Sequence, residues 1–301
     1  MSWILLAILG HLSNAITFII DKTLLTSTWK TSATYASLIA TLSVVIVVAS
    51  PWVTTWPTGD ALISSIIFGA AFVGSVWAFF EALRHAEASR VVPIVGSLNP
   101  LFTLIGAILF LGDTLSPRMG IGFALLLVST ILLARGSSKS RVDSKTIGLA
   151  VLAAVLFALS SIAGKDAFAQ ASFLGVLITS RIAAAIIGIL IGLGIKNARQ
   201  ELLSIVKPKA ANAPSAPLAL ALTGQVAGAL GFILVNIALA QGSAAIVNAL
   251  QAVQYAAIVL VAWLGGKRLQ LLLKEDVSKK ILLQKGFAIL LVGIGLWLIA
   301  G

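Results

Sequence analysis

The sequence predicts an all-α integral membrane protein whose ten transmembrane helices form two inverted five-helix repeats. Three observations predict it. Ten apolar stretches of about 18 to 24 residues occupy nearly all of the 301 residues. The charges lie almost wholly in the gaps between those stretches, and short runs of the first half return in the second. Each stretch can cross a hydrocarbon core of roughly 30 Å as a helix rising about 1.5 Å per residue.

The spans are expected at residues 3–20, 32–50, 61–83, 91–111, 117–134, 147–164, 173–195, 217–240, 243–264 and 281–300. Span 1 contains His11 and Asn14 and lacks a basic leader and a small-residue cleavage site, so it is expected to remain in the protein. Span 3 ends in Phe79-Phe80-Glu81, with Glu81 expected at the interface near Arg84 and His85. Span 4 carries Asn99-Pro100 at mid-helix, where proline frees a backbone carbonyl and kinks the helix. In span 7, Gly188 and Gly192 are four apart, as are Gly224 and Gly228 in span 8. Each pair strips side-chain bulk from one face, so close helix packing is expected, within a chain or between protomers. The connection from Lys196 to Pro217 is polar and proline-containing and reads as a mobile loop. Residues 269–281 are expected to lie as a short basic helix on an anionic membrane surface.

Composition sets the class. Hydrophobic residues make up 59% and charged residues 10% of the chain, with a mean hydropathy of +1.07, more apolar than a soluble core requires. The net charge of +11 would suggest nucleic acid in a soluble protein; here positive-inside loops account for it, so no nucleic-acid partner is expected. The absence of cysteine removes thiolate chemistry, and two histidines are too few for a histidine metal cluster. No cofactor and no metal are therefore expected.

The connections after spans 1, 3, 5, 7 and 9, together with Lys285 in the first turns of span 10, hold 18 of the 21 basic residues, leaving Arg118, Lys165 and Arg181. Alternate connections share one side of the membrane, so these five face the cytoplasm and both termini lie outside. A multi-pass location in the plasma or inner membrane follows as the expectation.

Internal repetition supports the two-repeat reading. Gly122-Phe123-Ala124-Leu125-Leu126-Leu127-Val128 in span 5 returns as Gly286-Phe287-Ala288-Ile289-Leu290-Leu291-Val292 in span 10. Leu12-Ser13-Asn14 returns as Leu159-Ser160-Ser161, and Ala82-Leu83 as Ala238-Leu239. Five helices per copy is odd, so the second copy enters the membrane from the opposite side, as in many secondary transporters with a midplane site between halves. The copies are placed at residues 1–136 and 146–301, joined by a basic cytoplasmic linker at 137–145.

The run Phe79-Phe80-Glu81-Ala82-Leu83-Arg84-His85-Ala86-Glu87-Ala88-Ser89, followed by Leu98-Asn99-Pro100-Leu101-Phe102 and Leu111-Gly112-Asp113-Thr114-Leu115-Ser116, resembles the EamA-type domain of the drug/metabolite transporter superfamily. The resemblance covers the chain in two copies and implies export or exchange of small metabolites, amino acids among them. The chain departs from the pattern where Gln254-Tyr255 stand near the position of Pro100, and where Gly265-Gly266-Lys267 replaces the usual Gly-Glu. The family's second-helix Arg is matched by Arg181 in copy two, while copy one reads Ser37-Leu38-Ile39.

Residue depth nominates a substrate site. His11, Asn99, Arg181, Gln225 and Gln251 each lie eight or nine residues into their spans, near the midplane. Asn14 lies one turn from His11, and Asn248, Gln251 and Gln254 recur at intervals of three in span 9. Turned to lipid, such amides would be unsatisfied, so they are expected to face the interior. For each there is a plain alternative: interhelical hydrogen bonding for the histidine and amides, a structural ion pair or snorkelling for Arg181. Asp21-Lys22 and Lys165-Asp166, ending matching helices, are expected to anchor headgroups or pair locally, with a gate role as the alternative.

Together these residues predict a secondary carrier working by alternating access on a small-molecule substrate, with no nucleotide-binding loop for ATP. A midplane inventory of Arg181, His11 and amides, with no deep carboxylate, favours a solute carrying a carboxylate. The competing readings are a passive channel or facilitator and an integral-membrane lipid-modifying enzyme. The last would need an interfacial metal-binding or carboxylate cluster that the sequence does not offer, so no enzymatic activity is expected.

Overall fold

The computed structural model describes residues 2–27, 31–86, 88–134, 143–206, 216–266 and 279–300. All of its regular structure among these residues is helical. The first unit comprises α1 (Trp3–Ser27), α2 (Ser32–Leu42) continued by a 3₁₀ helix (Ser43–Trp52), α3 (Gly59–His85), α4 (Ala88–Leu111) and α5 (Pro117–Ala134). The second comprises α6 (Ser144–Gln170), α7 (Phe173–Gly194), a short α8 (Lys196–Val206), α9 (Ala216–Gln241), the broken pair α10 (Ala244–Ala249) and α11 (Gln251–Leu264), and α12 (Lys279–Ala300). Among the described residues nine segments are long and apolar enough to cross a membrane. A tenth, Pro117–Leu133, is shorter, at the lower limit of length for a span.

Packing pairs interchange when helices 1–5 are exchanged for helices 6–10, as an inverted repeat requires. Helix α1 packs on α9 and α6 packs on α3; α1 packs on α11 and α6 on α4. Helices α5 and α12 pack on each other, as do the matching helices α2 and α7. The ends of matching helices also share a device. Gly112 after α4 and Gly266 after α11 both adopt left-handed backbone, φ 66° and 65°, which costs glycine no Cβ clash. At Gly112 the amide of Asp113 returns to the carbonyl of Ala107, the six-to-one bond of a Schellman cap.

Small residues let the helices meet. Ala78 and Ala82 of α3 face Ala150, Ala153 and Ala154 of α6 in one buried cluster. Gly69 of α3 lies so close to the Ser180 carbonyl of α7 that any Cβ would fall 2.0 Å from it. Both glycine pairs pack within the chain. Gly188 and Gly192 receive Ala40 and Ser37 of α2, while Gly224 and Gly228 receive Ile20 and Thr17 of α1.

Two clasps tie the units together on opposite faces, and they also interchange under the pseudo-axis. Between the α2–α3 connection and the start of α7, the Ser172 hydroxyl donates to the Thr55 carbonyl at 2.6 Å, and the Ser172 amide to the Thr55 hydroxyl at 3.0 Å. On the other face, between α8 and the start of α2, Glu201 accepts from the hydroxyls of Thr31 at 2.6 Å and Thr34 at 2.8 Å.

The connection after α7 departs from expectation. Residues Lys196–Val206, read from sequence as part of a mobile loop, form α8. Its Ala198 and Leu202 are four apart and turn inward, Ala198 fully buried and Leu202 against Gly192 of α7. Most of the 269–281 segment and residues 137–142 of the basic linker lie outside the described residues.

Candidate functional site

Arg181 sits eight residues past the start of α7 and is 4% exposed. Its guanidinium carbon lies 4.2 Å from the ring centroid of Phe232, 4.5 Å from that of Phe72 and 5.4 Å from that of Phe68. Phe68 and Phe72 are four apart on α3 of the first unit and Phe232 belongs to α9 of the second, so the enclosure is built across the two units. The Ser180 hydroxyl lies 3.5 Å from Nε, and Nη2 has no hydrogen-bond partner. No described carboxylate lies within ion-pair distance of Arg181, which leaves the structural ion pair without an anion. A cation at this depth costs about 2.5 to 3.5 kcal/mol on insertion scales, and aromatic faces return about 0.5 to 2 kcal/mol of that.

A second polar group lies where span 9 breaks. The turn at Leu250 separates α10 from α11, so Asn248 lies before the break and Gln251 and Gln254 after it, rather than on one continuous helix. The Asn248 amide donates to Thr103 of α4 at 2.8 Å and to Ser161 of α6 at 2.9 Å, with Asn99 Oδ1 at 3.4 Å. Thr103 passes its own proton to the Asn99 carbonyl at 2.8 Å, and Ser161 to the Phe157 carbonyl at 3.1 Å. The group therefore braces three helices across the two units.

His11, 5% exposed on α1, has Nε2 at 2.8 Å from the Val247 carbonyl; a carbonyl only accepts, so Nε2 carries the proton there. Gln254 is its side-chain neighbour. Asn14 points instead at α9, with Oδ1 against Gly231. Gln225 and Gln251 are half-buried on α9 and α11. The structure thus brings Asn99 and Asn248 together and sets His11 beside Gln254. Arg181 stands in a separate aromatic enclosure.

At the span ends the charged residues, expected to anchor headgroups or pair locally, bond largely to other helices. Tyr35 donates to Asp21, Ser32 to Glu81, and Lys165 to the Gly242 carbonyl, while Asp166 accepts from Ser64 at 2.6 Å and Gln170 at 2.9 Å. Glu81 also meets His85 at 3.2 Å. Among the described residues no group of three or more His, Asp or Glu side chains could hold a metal ion.

Phe68, Phe72 and Phe232, with Thr103 and Ser161, are site neighbours that the sequence reading did not single out. A faint trace was present: Phe68 and Phe72 share one face of a helix by their spacing of four.

No curated protein matches the chain. A solved structure described as "Crystal structure of protein" is similar over 98% of this chain and 95% of its own, with a TM-score of 0.66 and 17% identity, a likeness that shows the fold alone. The model of the EamA-like transporter family, a family of membrane transporters of small solutes, matches residues 1–135. Residues 1–135 of this multi-pass membrane protein, its first five helices, are therefore similar to the EamA-like transporter family.

Proposed function

We propose that the protein is a secondary carrier of small carboxylate-bearing solutes, exporting or exchanging them by alternating access, with Arg181 as the group that receives the anion. Residues 146–301 act as a second EamA-type repeat, and the basic connections face the cytoplasm of a cell membrane. The observation that carries the reading is Nη2 of Arg181, buried at mid-membrane between the units with no hydrogen-bond partner. A planar guanidinium with a free donor edge suits a carboxylate. The position suits a carrier of inverted repeats, whose site lies between the halves. The two interchanging clasps supply a contact on each face that an alternating cycle would break in turn.

The test is a thermal-stability screen of the purified protein against amino acids, organic acids, nucleosides and sugar phosphates, since a ligand of the native state raises stability by mass action. Carboxylates are expected to stabilise the native protein, more weakly Arg181→Lys, and Arg181→Ala not at all. Stabilisation confined to neutral or cationic solutes would sink the reading. Saturable uptake with counterflow in proteoliposomes separates a carrier from a channel, which would conduct without counterflow.

A further inference from the structure

We infer that the solute is a monoanion with an apolar body and no cationic group, an uncomplicated organic acid rather than a zwitterion. The inference rests on Arg181 as the anion-binding group and narrows what accompanies the anion.

One side of the argument is the surroundings of the free donor. Arg181 is flanked by rings, and the rings continue from it in both directions. Phe232 and Phe72 lie 5.2 Å apart, Phe72 and Phe157 6.5 Å, and Phe157 and Phe79 6.4 Å; on the other side Phe68 and Phe168 lie 5.8 Å apart. A group bound at Nη2 therefore has hydrocarbon beside it, which favours an apolar body.

The other side is what an ammonium would find. Of the described acids, Asp21, Glu81, Asp166 and Glu201 lie near span ends or in α8, and each already accepts a hydrogen bond from a hydroxyl. Asp60 lies in the first turn of α3, and Asp113 and Asp143 flank helices at the faces. None stands at the depth of Arg181. Of the neutral acceptors, Thr103 and Ser161 are engaged by Asn248 and the Val247 carbonyl by His11, while His11 Nδ1, which has no partner, is uncharged and offers an ammonium no counter-charge. The nearest aromatic faces, which could hold a cation, are taken by the guanidinium itself. An α-ammonium would be buried without a counter-charge and beside a like charge, a penalty that selects against zwitterions.

Three matched probes test this on the purified full-length protein by titration calorimetry: 3-phenylpropanoate, L-phenylalanine, which adds an α-ammonium to the same skeleton, and 2-phenylethylamine, which lacks the carboxylate. The native protein should bind 3-phenylpropanoate, bind phenylalanine at least about tenfold more weakly, and not bind the amine. Phe232→Leu, which leaves Arg181 in place, should weaken 3-phenylpropanoate more than it weakens acetate. Phenylalanine binding as tightly as 3-phenylpropanoate, with both lost in Arg181→Gln, would overturn this inference and leave the anion site standing. Preference for the amine, or 3-phenylpropanoate binding unchanged by Arg181→Gln, would overturn both. No binding of 3-phenylpropanoate to the native protein would also overturn the inference, and that comparison needs no variant to fold.

Discussion

The Phe232 ring of α9 lies 4.2 Å from the guanidinium carbon of Arg181 on α7, so a mid-membrane cation rests on an aromatic face supplied by the helix that repeats α3. Phe68 and Phe72 of α3 flank the same guanidinium from the first unit. Motion of either unit relative to the other would therefore change what Arg181 touches.

That contact should be measurable as a coupling. In a double-mutant cycle of Phe232→Leu and Arg181→Gln, read by thermal or denaturant stability in detergent, the coupling energy should be about 1 to 2 kcal/mol, the range for a desolvated cation on a ring. Additive effects would show that the ring merely fills space.

Asn248 joins α10 to α4 and α6 through Thr103 and Ser161. Interhelical hydrogen bonds in membranes average about 0.6 kcal/mol and reach about 1.7, so with two of them lost, Asn248→Ala should cost roughly 1 to 2 kcal/mol. Adding Thr103→Val should cost less than it does alone, because the shared bond is already gone. Independent costs would mean that the group is not one network.

The fold was legible in the sequence because a hydrocarbon solvent imposes a strong rule: every backbone polar group must be satisfied within the segment, so apolar length marks a helix. The inverted arrangement was legible from Gly122–Val128 and its echo at Gly286–Val292 together with the odd number of spans. Arg181 announced itself as a charge in an apolar run. Its aromatic enclosure did not, because a phenylalanine facing lipid and one facing a guanidinium look alike in sequence. Helix α8 was missed because eleven residues with a polar face carry too little apolar length to stand out. The break at Leu250 was hidden too, since Asn248 to Gln254 keeps helical spacing across it.

The matched caps make a sharper test of the repeat. Gly112→Ala and Gly266→Ala place a Cβ at φ 66° and 65°, where open space surrounds both positions and only the backbone conformation is strained. Each should destabilise by about 1 to 2 kcal/mol. Unequal costs would show that the two helix ends, though alike in backbone, are not equivalent in energy.

Orientation can be read by labelling, because the chain has no cysteine of its own. Gln200 on α8 and Thr58 before α3 are both exposed and belong to connections on opposite faces. If the basic connections face the cytoplasm, an impermeant maleimide added to intact cells should label Thr58→Cys and spare Gln200→Cys. The reverse pattern would invert the topology.

The two clasps should act separately. Ser172 with Thr55 closes one face and Glu201 with Thr31 and Thr34 the other, so weakening one should favour opening on that face alone. Val176 on α7 and Ala33 on α2 are fully buried beside the respective clasps and can report opening as cysteines. A carboxylate clasp of two hydroxyl bonds is worth roughly 1.5 to 3 kcal/mol, so Glu201→Ala should raise the labelling rate of Ala33→Cys by about tenfold or more. The neutral clasp is weaker. Ser172→Ala also removes the cap that accepts from the Gly175 amide at 3.2 Å, so Thr55→Val, which spares that cap, is the cleaner variant. It should raise labelling of Val176→Cys by a few-fold, on the order of 1 kcal/mol. Each variant should leave the other reporter unchanged or better protected, since closing one face accompanies opening the other in an alternating cycle. Simultaneous exposure of both reporters would instead indicate general loosening and would count against two separately breakable contacts.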